Sequence, residues 1–366
     1  MINKPFLLLS GSLLLVFFVT LSLTLQGCSS FSYYRQAMGG QYEILNRRVE
    51  IDTLINDKNT PEKLRKKLET VLQVRTFSKN EMAMDVGSNY SQYSDLQRNY
   101  VVWNVSASPA LSLTPHQWCY PIVGCQSYRG YFHQEMAEEE AANLQQQGYD
   151  TWVGGVSAYS TLGWFEDPVL NTFIFRNDAD LAALLIHELS HQILYIKGDT
   201  AFNESFATAV EIEGLKRWLK KVEQEELLSA YQQKREEKAF FIQTVSATTK
   251  KLKTLYDSEL SESDKTLKKE QLISALKENY RKAVANNTLR GYYAHWFDEI
   301  NNAKLAAISN YYNYVPAFSA MIDEVNGDMA VFYKQAKSLG EKDKRIRDKL
   351  LNEYLLQNKQ SHAVIK

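Results

Sequence analysis

Apolar residues recur at helical spacing through most of the chain and alternate with polar residues only in short stretches. One helical run starts at Asp178, whose side chain can cap a helix, and meets no proline or glycine before Gly198. Asn203 is a suitable cap for a second helix over residues 204–218. Alternation over residues 89–105 predicts strands. The pattern therefore predicts an α+β fold that is mainly helical.

A long charged region follows, with no proline and no glycine between Gly214 and Gly291. Its apolar residues form a loose stripe, which the sequence Ser-Glu-Ser-Asp at residues 261–264 interrupts. That sequence can cap a new helix. We therefore expect a long helical hairpin over about residues 215–290, either inserted in or appended to the main domain. Its alternating lysines and glutamates are typical of a solvent-exposed face.

The run that starts at Asp178 contains the pattern H-E-x-x-H in His187, Glu188 and His191. Residues four apart share one face of a helix, so both imidazoles can point at one metal ion. Two neutral histidines in this arrangement suit Zn²⁺. Glu188 directly follows the first histidine and can act as general base toward a metal-activated water. The motif predicts one catalytic zinc ion.

A catalytic zinc site usually has a third protein ligand and leaves its fourth position open. Leu194 and Lys197 stand where the metzincin pattern requires glycine and histidine, so that class is excluded. Glu204, which follows an asparagine and precedes small residues, resembles the third ligand of the glutamate zincins. Asp199 and Glu211 remain alternatives for this position. Asp199 can instead be a turn residue, and Glu211 can instead orient an imidazole N–H.

Residues 1–27 have the features of a bacterial lipoprotein signal peptide. Lys4 supplies the positive region, an apolar stretch follows, and the sequence Leu-Gln-Gly-Cys ending at Cys28 resembles the lipoprotein cleavage box. Cleavage would leave Cys28 as the acylated start of a domain over residues 28–366, held in a lipid bilayer. An uncleaved transmembrane anchor is the alternative. Ser29 is not the aspartate typical of inner-membrane retention, so we expect an envelope lipoprotein of the outer membrane that faces the periplasm.

Cys119 and Cys125 are the cysteines that remain when Cys28 carries lipid. An oxidising compartment favours a disulfide between them across a short loop. Two free buried thiols or one strained bond are the alternatives. The surrounding sequence has no His-Cys pattern typical of a zinc knuckle.

Composition narrows the class of protein only slightly. The chain has 366 residues, a net charge of −1 and 45% hydrophobic residues, as in an ordinary globular protein. It has no basic excess and no nucleic-acid-binding motif, so nucleic acid is not an expected partner.

A zinc peptidase also needs a hydrogen-bond donor for the developing oxyanion and a strand edge that binds the substrate backbone. Tyrosine is a usual oxyanion donor, and the candidates are Tyr128, Tyr131, Tyr311 and Tyr312. Each of them could instead be an ordinary core or surface residue. The strand predicted over residues 149–159 is the candidate for the edge, and a plain sheet strand is the alternative.

Several segments together resemble a family of proteobacterial lipoproteins described as predicted aminopeptidases, a zincin group. The similar segments are LQGC at 25–28, YVVWNV at 100–105, YPIVGCQSYRGYF at 120–132, STLGWFEDPVLNTF at 160–173, LIHELSHQ at 185–192, GDTAFNESFAT at 198–208, NNAKLA at 301–306 and YVPAF at 314–318. The resemblance implies a zinc-dependent peptidase of zincin-like fold that acts on peptides. It implies that His187, Glu188, His191 and Glu204 form the catalytic site.

The expected reaction is hydrolysis of a peptide bond, with aminopeptidase action as its specific form. The sequence pattern identifies no group that would bind the free amine of such a substrate. The alternative is a non-catalytic envelope lipoprotein, a binding or scaffold protein whose metal site is structural. Such a site would be closed by four protein ligands, and no cysteine or histidine near the motif supplies an obvious fourth.

Overall fold

The computed structural model describes residues 32–120, 124–158, 166–308 and 314–364, with side chains as far as residue 355. Helices dominate and the strands form small sheets, so the predicted mainly helical α+β class is confirmed. The helices are α1 (residues 32–46), α2 (Ile51–Asn56), α3 (Glu62–Glu81), α4 (Gln134–Gln146), α5 (Asn171–Ile174), α6 (Asp178–Ile193), α7 (Thr200–Lys221), α8 (Glu226–Tyr256), α9 (Glu262–Ala285), α10 (Asn302–Ala306), α11 (Val315–Glu324), α12 (Met329–Gly340) and α13 (Lys344–Val364).

Eight short strands form three small sheets within the described residues. The strands are β1 (Arg48–Glu50), β2 (Gln92–Ser94), β3 (Val102–Pro109), β4 (Trp118–Tyr120), β5 (Gly124–Gln126), β6 (Arg129–Tyr131), β7 (Tyr149–Val156) and β8 (Val169–Leu170). One sheet has the order β1-β2-β8, in which β2 is antiparallel to β1 and parallel to β8. The antiparallel second sheet has the order β6-β3-β7. β4 and β5 pair separately, and a disulfide joins Cys119 and Cys125 across them.

β7 is an edge strand of the second sheet. It pairs with β3 from Tyr149 opposite Pro109 to Val156 opposite Val102, and no described strand pairs with its other side. The strand predicted there therefore exists and ends at Val156. Its glycines accommodate a neighbouring ring, because a Cβ atom on Gly155 would lie 2.5 Å from the Tyr100 side chain.

The main hydrophobic core lies among α3, α6, α7 and α11. Phe202 and Phe206 of α7 meet Phe318 of α11 edge-on, with ring centroids 5.1 and 5.8 Å apart. Phe206 also stacks on Phe332 of α12 at 5.7 Å. Fully burying one such side chain stabilises the fold by about 1.5–3 kcal/mol. This aromatic layer fixes the position of α7.

α6 and α7 approach each other closely. Gly214 of α7 faces Ile186 of α6, and a Cβ atom there would lie 2.9 Å from the isoleucine side chain. Because glycine has no Cβ atom, the two helices can pack without a side chain between them at this level. The close contact brings the polar faces of both helices near each other.

α8 and α9 form the helical pair that the sequence predicted, although it is shorter than the predicted range. The hairpin starts at Glu226, and residues 215–221 belong to α7. Buried Glu237 of α8 accepts hydrogen bonds from Tyr280 Oη at 2.6 Å and from the backbone nitrogens of Arg290 and Gly291 at 2.7 and 3.2 Å. α8 also packs against α6 and α7, so the hairpin is fixed on the main core.

None of the helices in the described ranges is both long and apolar enough to span a membrane. The predicted signal peptide and Cys28 lie outside the described residues.

Candidate metal centre

The H-E-x-x-H motif lies toward the C-terminal end of α6. The N-cap of this helix is Asn177, whose side-chain oxygen accepts a hydrogen bond from the backbone nitrogen of Asp180 at 2.8 Å. The prediction that Asp178 is the cap is therefore wrong. Asp178 is the first helical residue and forms an ion pair with Lys67 at 2.6 Å. Asparagine and aspartate cap helices about equally well, so local sequence did not distinguish the two positions.

The chain reverses direction between Ile193, where α6 ends, and Thr200, where α7 begins. Asn203 closes this turn, because its side-chain amide accepts from the nitrogen of Ile196 and donates to the oxygen of Ile196, both at 2.8 Å. Asn203 therefore lies inside α7, and its predicted role as the N-cap is wrong. The turn holds α7 antiparallel to α6 and places its first turns opposite the histidines.

Asp199, one of the alternatives for the third ligand, is the N-cap of α7. Its Oδ1 accepts a hydrogen bond from the backbone nitrogen of Phe202 at 3.3 Å. Its Oδ2 lies 2.7 Å from Arg347 Nη2 in a buried ion pair, and Lys344 lies 3.4 Å away. The carboxylate thus stabilises the start of α7, and Asp199 is not among the described residues that could together hold a metal ion.

His187, His191 and Glu204 form a cluster that could hold a metal ion. Glu204 Oε2 lies 3.4 Å from His187 Nε2, and Glu204 Oε1 lies 3.7 Å from His191 Nε2. Ligands at ~2.0–2.1 Å from a tetrahedral zinc ion are separated by about 3.4 Å, so these atoms fit the ion with small adjustments. The other nitrogen of His191, Nδ1, is buried without a hydrogen-bond partner. Two imidazoles and one carboxylate are a usual donor set for catalytic zinc.

Glu211, the other alternative for the third ligand, orients His187. Its Oε2 lies 2.9 Å from His187 Nδ1, the nitrogen that faces away from Glu204. Its Oε1 accepts a hydrogen bond from Tyr231 Oη of α8 at 2.5 Å. A carboxylate in this position fixes the tautomer of the histidine and leaves Nε2 for a metal.

The carboxylates attract positive charge to the metal-binding nitrogens. Burial by itself would lower the pKa of His187, but its hydrogen bonds with Glu204 and Glu211 raise that pKa to about 10. Burial and the neighbouring His187 lower the pKa of His191 to about 4, so His191 is neutral at pH 7. The two carboxylates thus stabilise a positive charge at His187.

Glu188 lies beside the cluster and is not one of its three members. Burial raises the pKa of its carboxyl, and the negative charges of Glu204 and Asp167 raise it further. A raised pKa suits a carboxylate that accepts and returns a proton near neutral pH. Asp167 is itself buried, and its backbone is held by Asn89 and Tyr90 through hydrogen bonds of 3.0 and 2.7 Å.

The four tyrosines proposed as oxyanion donors have different positions. Tyr311 and Tyr312 lie outside the described residues. Tyr131 is buried in a separate hydrophobic cluster with Trp103 and is not brought to the histidines. Tyr128 is half exposed and lies near Tyr195, whose ring meets that of His191 edge-on at 6.5 Å. Of the two described candidates, Tyr128 is linked to the cluster through Tyr195.

Sequence reasoning missed the contribution of α8 to this site. A cavity of about 250 Å³ lies beside His187 and Glu188, and Tyr231, Lys234, Arg235 and Lys238 line its far side. The lysines and glutamates of α8 alternate as on a solvent-exposed helix, so the pattern gave no signal that one face contacts the site. These four residues are three or four positions apart, which places them on one face of α8. The sequence alone did not show that this face contacts the site.

We expect Glu204→Gln to lower the zinc content of the purified protein from about one per chain to well below one, because it removes a charged ligand. Glu211→Gln should retain zinc but weaken its affinity by about 10–100-fold, since it removes only an orienting partner. Both are measured by metal analysis and competition with a chelator. Glu213→Gln is the matched control, because Glu213 lies on the same helix and pairs with Arg217 at 2.7 Å. Full zinc affinity in Glu204→Gln would contradict the assignment.

No curated protein and no solved structure matches the chain. One family model matches residues 32–351, which is most of the chain and includes every member of the metal-binding cluster. The match begins in α1 and ends in α13, so it covers the core, the second sheet and the helical hairpin alike. The protein therefore belongs to the Putative aminopeptidase family.

Proposed function

We propose that the protein is a zinc-dependent peptidase in which Glu188 is the general base. The observation that carries the proposal is the cluster of His187, His191 and Glu204, with Glu188 beside it and Glu211 bonded to His187. A bound zinc ion would lower the pKa of water and polarise the carbonyl of the scissile peptide bond. Membership in the aminopeptidase family supports the same reaction class.

Each residue of the proposed site would have a separate role. His187, His191 and Glu204 would hold the ion, and Glu211 would keep the His187 ring in its metal-binding orientation. Glu188 would take a proton from the attacking water and deliver it to the leaving amine. Tyr128 is the described candidate for the oxyanion donor, and Tyr311 and Tyr312 are further candidates.

A catalytic site is favoured over a structural one by its ligand count. A structural zinc site is closed by four protein ligands. The cluster found among the described residues offers three, which leaves one position for water or substrate. We therefore prefer the peptidase to a scaffold protein with a structural metal.

Aminopeptidase action requires an acidic group near the metal that binds the free amine of the substrate. We propose Asp167 for this role, because it is buried and its charge acts directly on Glu188. An ammonium group beside two carboxylates is favoured electrostatically. The second-sheet edge strand β7 would bind the substrate backbone, as proposed from the sequence.

We expect peptides with a free amino terminus to be cleaved and their acetylated counterparts to be cleaved at least about tenfold more slowly, because acetylation removes the charge that Asp167 would bind. A chelator should abolish both activities and added zinc should restore them. The measurement is product formation by chromatography. Equal cleavage of both peptide sets would exclude aminopeptidase action and leave an endopeptidase.

We expect Glu188→Gln to lower turnover by about 10²–10⁴-fold, because it keeps the size and polarity of the side chain but removes the base. Zinc content should stay near one per chain, since the three ligands remain. Turnover and metal content are measured on the same preparation. Unchanged turnover would rule out the proposed mechanism.

We also propose that the protein is an envelope lipoprotein anchored through acylated Cys28. The support is the cleavage-box sequence described above. Cys28→Ala should move the protein out of the membrane fraction without loss of peptidase activity, because residue 28 lies far along the chain from every cluster residue. Fractionation with mass spectrometry of the mature amino terminus checks this. Acylated, membrane-bound protein after the change would disprove the lipoprotein assignment.

A further inference from the structure

The two faces of the β6-β3-β7 sheet are covered differently. Asn104 of β3 lies opposite Gly154 of β7, and Ser106 follows two positions along on the same face. The other face carries Trp103 and forms a hydrophobic cluster with α4. α10 packs against the face of Asn104 and leaves a cavity of about 500 Å³ there, which we name the sheet cavity.

Two asparagines hold α10 in place over the sheet. The side chain of Asn302 donates to the backbone oxygen of Ala110 at 2.8 Å and accepts from Tyr256 Oη at 2.9 Å. The side chain of Asn301 donates to the backbone oxygen of Thr151 in β7 at 2.7 Å. The sheet cavity therefore lies between two elements that are bonded to each other at the start of α10.

None of the described residues that line the sheet cavity carries a charge. Alanines of α10 and glycines of β7 leave room, and the ring of Trp152 lies over Gly154, where a Cβ atom would be 2.7 Å from it. The volume falls within the ~300–1,000 Å³ of typical ligand pockets. The cavity thus has the size and the lining for an apolar or aromatic group.

The charged side chains of β7 and α10 are engaged away from the cavity. Asp150 of β7 pairs with Lys269 of α9 at 2.8 Å. Lys304 of α10 donates to the backbone oxygen of Glu299 at 2.8 Å and lies over the ring of Trp296 at 5.2 Å. Neither Asp150 nor Lys304 belongs to the described lining. A charged group would therefore lose hydration in the cavity without meeting an opposite charge on these two elements, which is unfavourable.

Two residues connect the sheet cavity to the candidate metal cluster. Thr200 lines the cavity and lies one helical turn before Glu204, on the same face of α7. Tyr128 also lines the cavity and lies near Tyr195, whose ring meets that of His191 edge-on at 6.5 Å. A peptide held at the cluster would thus have a side chain within reach of the cavity.

We propose that the sheet cavity binds an uncharged, bulky side chain of the substrate, either aliphatic or aromatic. The proposal rests on the proposed peptidase function and specifies its substrate class, namely peptides with such a residue next to the cleaved bond. Trp152 would pack against the bound side chain, since aromatic rings contribute large apolar contact areas. The described lining offers no opposite charge to a lysine or glutamate side chain.

The bound side chain can belong to the residue before or after the cleaved bond. Two series of dipeptide amides separate these positions, X-Ala-NH₂ and Ala-X-NH₂, in which X is phenylalanine, leucine, lysine or glutamate. A preference for phenylalanine and leucine in the first series alone identifies the amino-terminal residue. The same preference in the second series alone identifies the residue that follows.

The test measures the affinity of each probe by calorimetry on full-length, zinc-loaded Glu188→Gln protein, which should bind peptides without cleaving them. We expect phenylalanine and leucine in at least one series to bind about tenfold or more tightly than lysine and glutamate at the same position. Trp152→Ala in this background should reduce that ratio severalfold, because it removes the aromatic contact. Ala307→Phe, which adds a ring to the α10 side of the cavity, should also reduce it and serves as a second variant if Trp152→Ala does not fold.

The matched control is Val153→Ala, since Val153 is the next residue of β7 and packs in the hydrophobic cluster on the opposite face of the sheet. It should leave the ratio unchanged. Equal affinities for all four residues in both series would overturn the proposal, as would a ratio that survives both Trp152→Ala and Ala307→Phe. Binding is read without turnover, so an intact ratio in a protein that cleaves no peptide would refute the peptidase function and retain the side-chain site.

Discussion

The reversal of the chain between α6 and α7 is the constraint on which the candidate metal centre depends. His187 and His191 are brought together by helical spacing alone, but Glu204 meets them only if α7 starts at one position and returns antiparallel. Asn203 secures the turn through two hydrogen bonds to Ile196. A shift of α7 by one residue would rotate Glu204 by about 100° around the helix axis and remove it from the cluster.

The buried charge of Glu211 makes the candidate metal centre depend on the helical hairpin as well. A buried carboxylate without a partner costs several kcal/mol, so Glu211 must be satisfied on both oxygens. His187 and Tyr231 do so, and Tyr231 belongs to α8. The orientation of His187 therefore depends on a helix that contributes no member of the candidate metal cluster. Lys238 lies on the same face of α8 as Tyr231 and lines the same cavity as His187 and Glu188.

The sequence was informative where local spacing determines geometry. The H-E-x-x-H motif and the mainly helical class follow from periodicity, and the structure brings Glu204 to the two histidines. The N-cap of α7 was misassigned because Asp199 is held by Arg347, which lies 148 residues away in the chain. The face of α8 that contacts the site could not be identified, because lysine and glutamate occur on both its exposed and its contacting sides. The position of a helix cap and the face that a helix turns toward the site depend on tertiary contacts, which a single sequence does not show.

Glu237 fixes how α8 is rotated, because its buried carboxylate binds Tyr280 and two backbone nitrogens on the side away from the cavity. A residue inserted between Tyr231 and Glu237 would rotate one of these side chains by about 100° around the helix axis relative to the other. An insertion in this segment would therefore break one of the two contacts, whereas substitutions at positions 234, 235 and 238 would leave both intact. The lining of the cavity can therefore vary at positions 234, 235 and 238, while the cluster on α6 and α7 and its connection to Tyr231 stay the same.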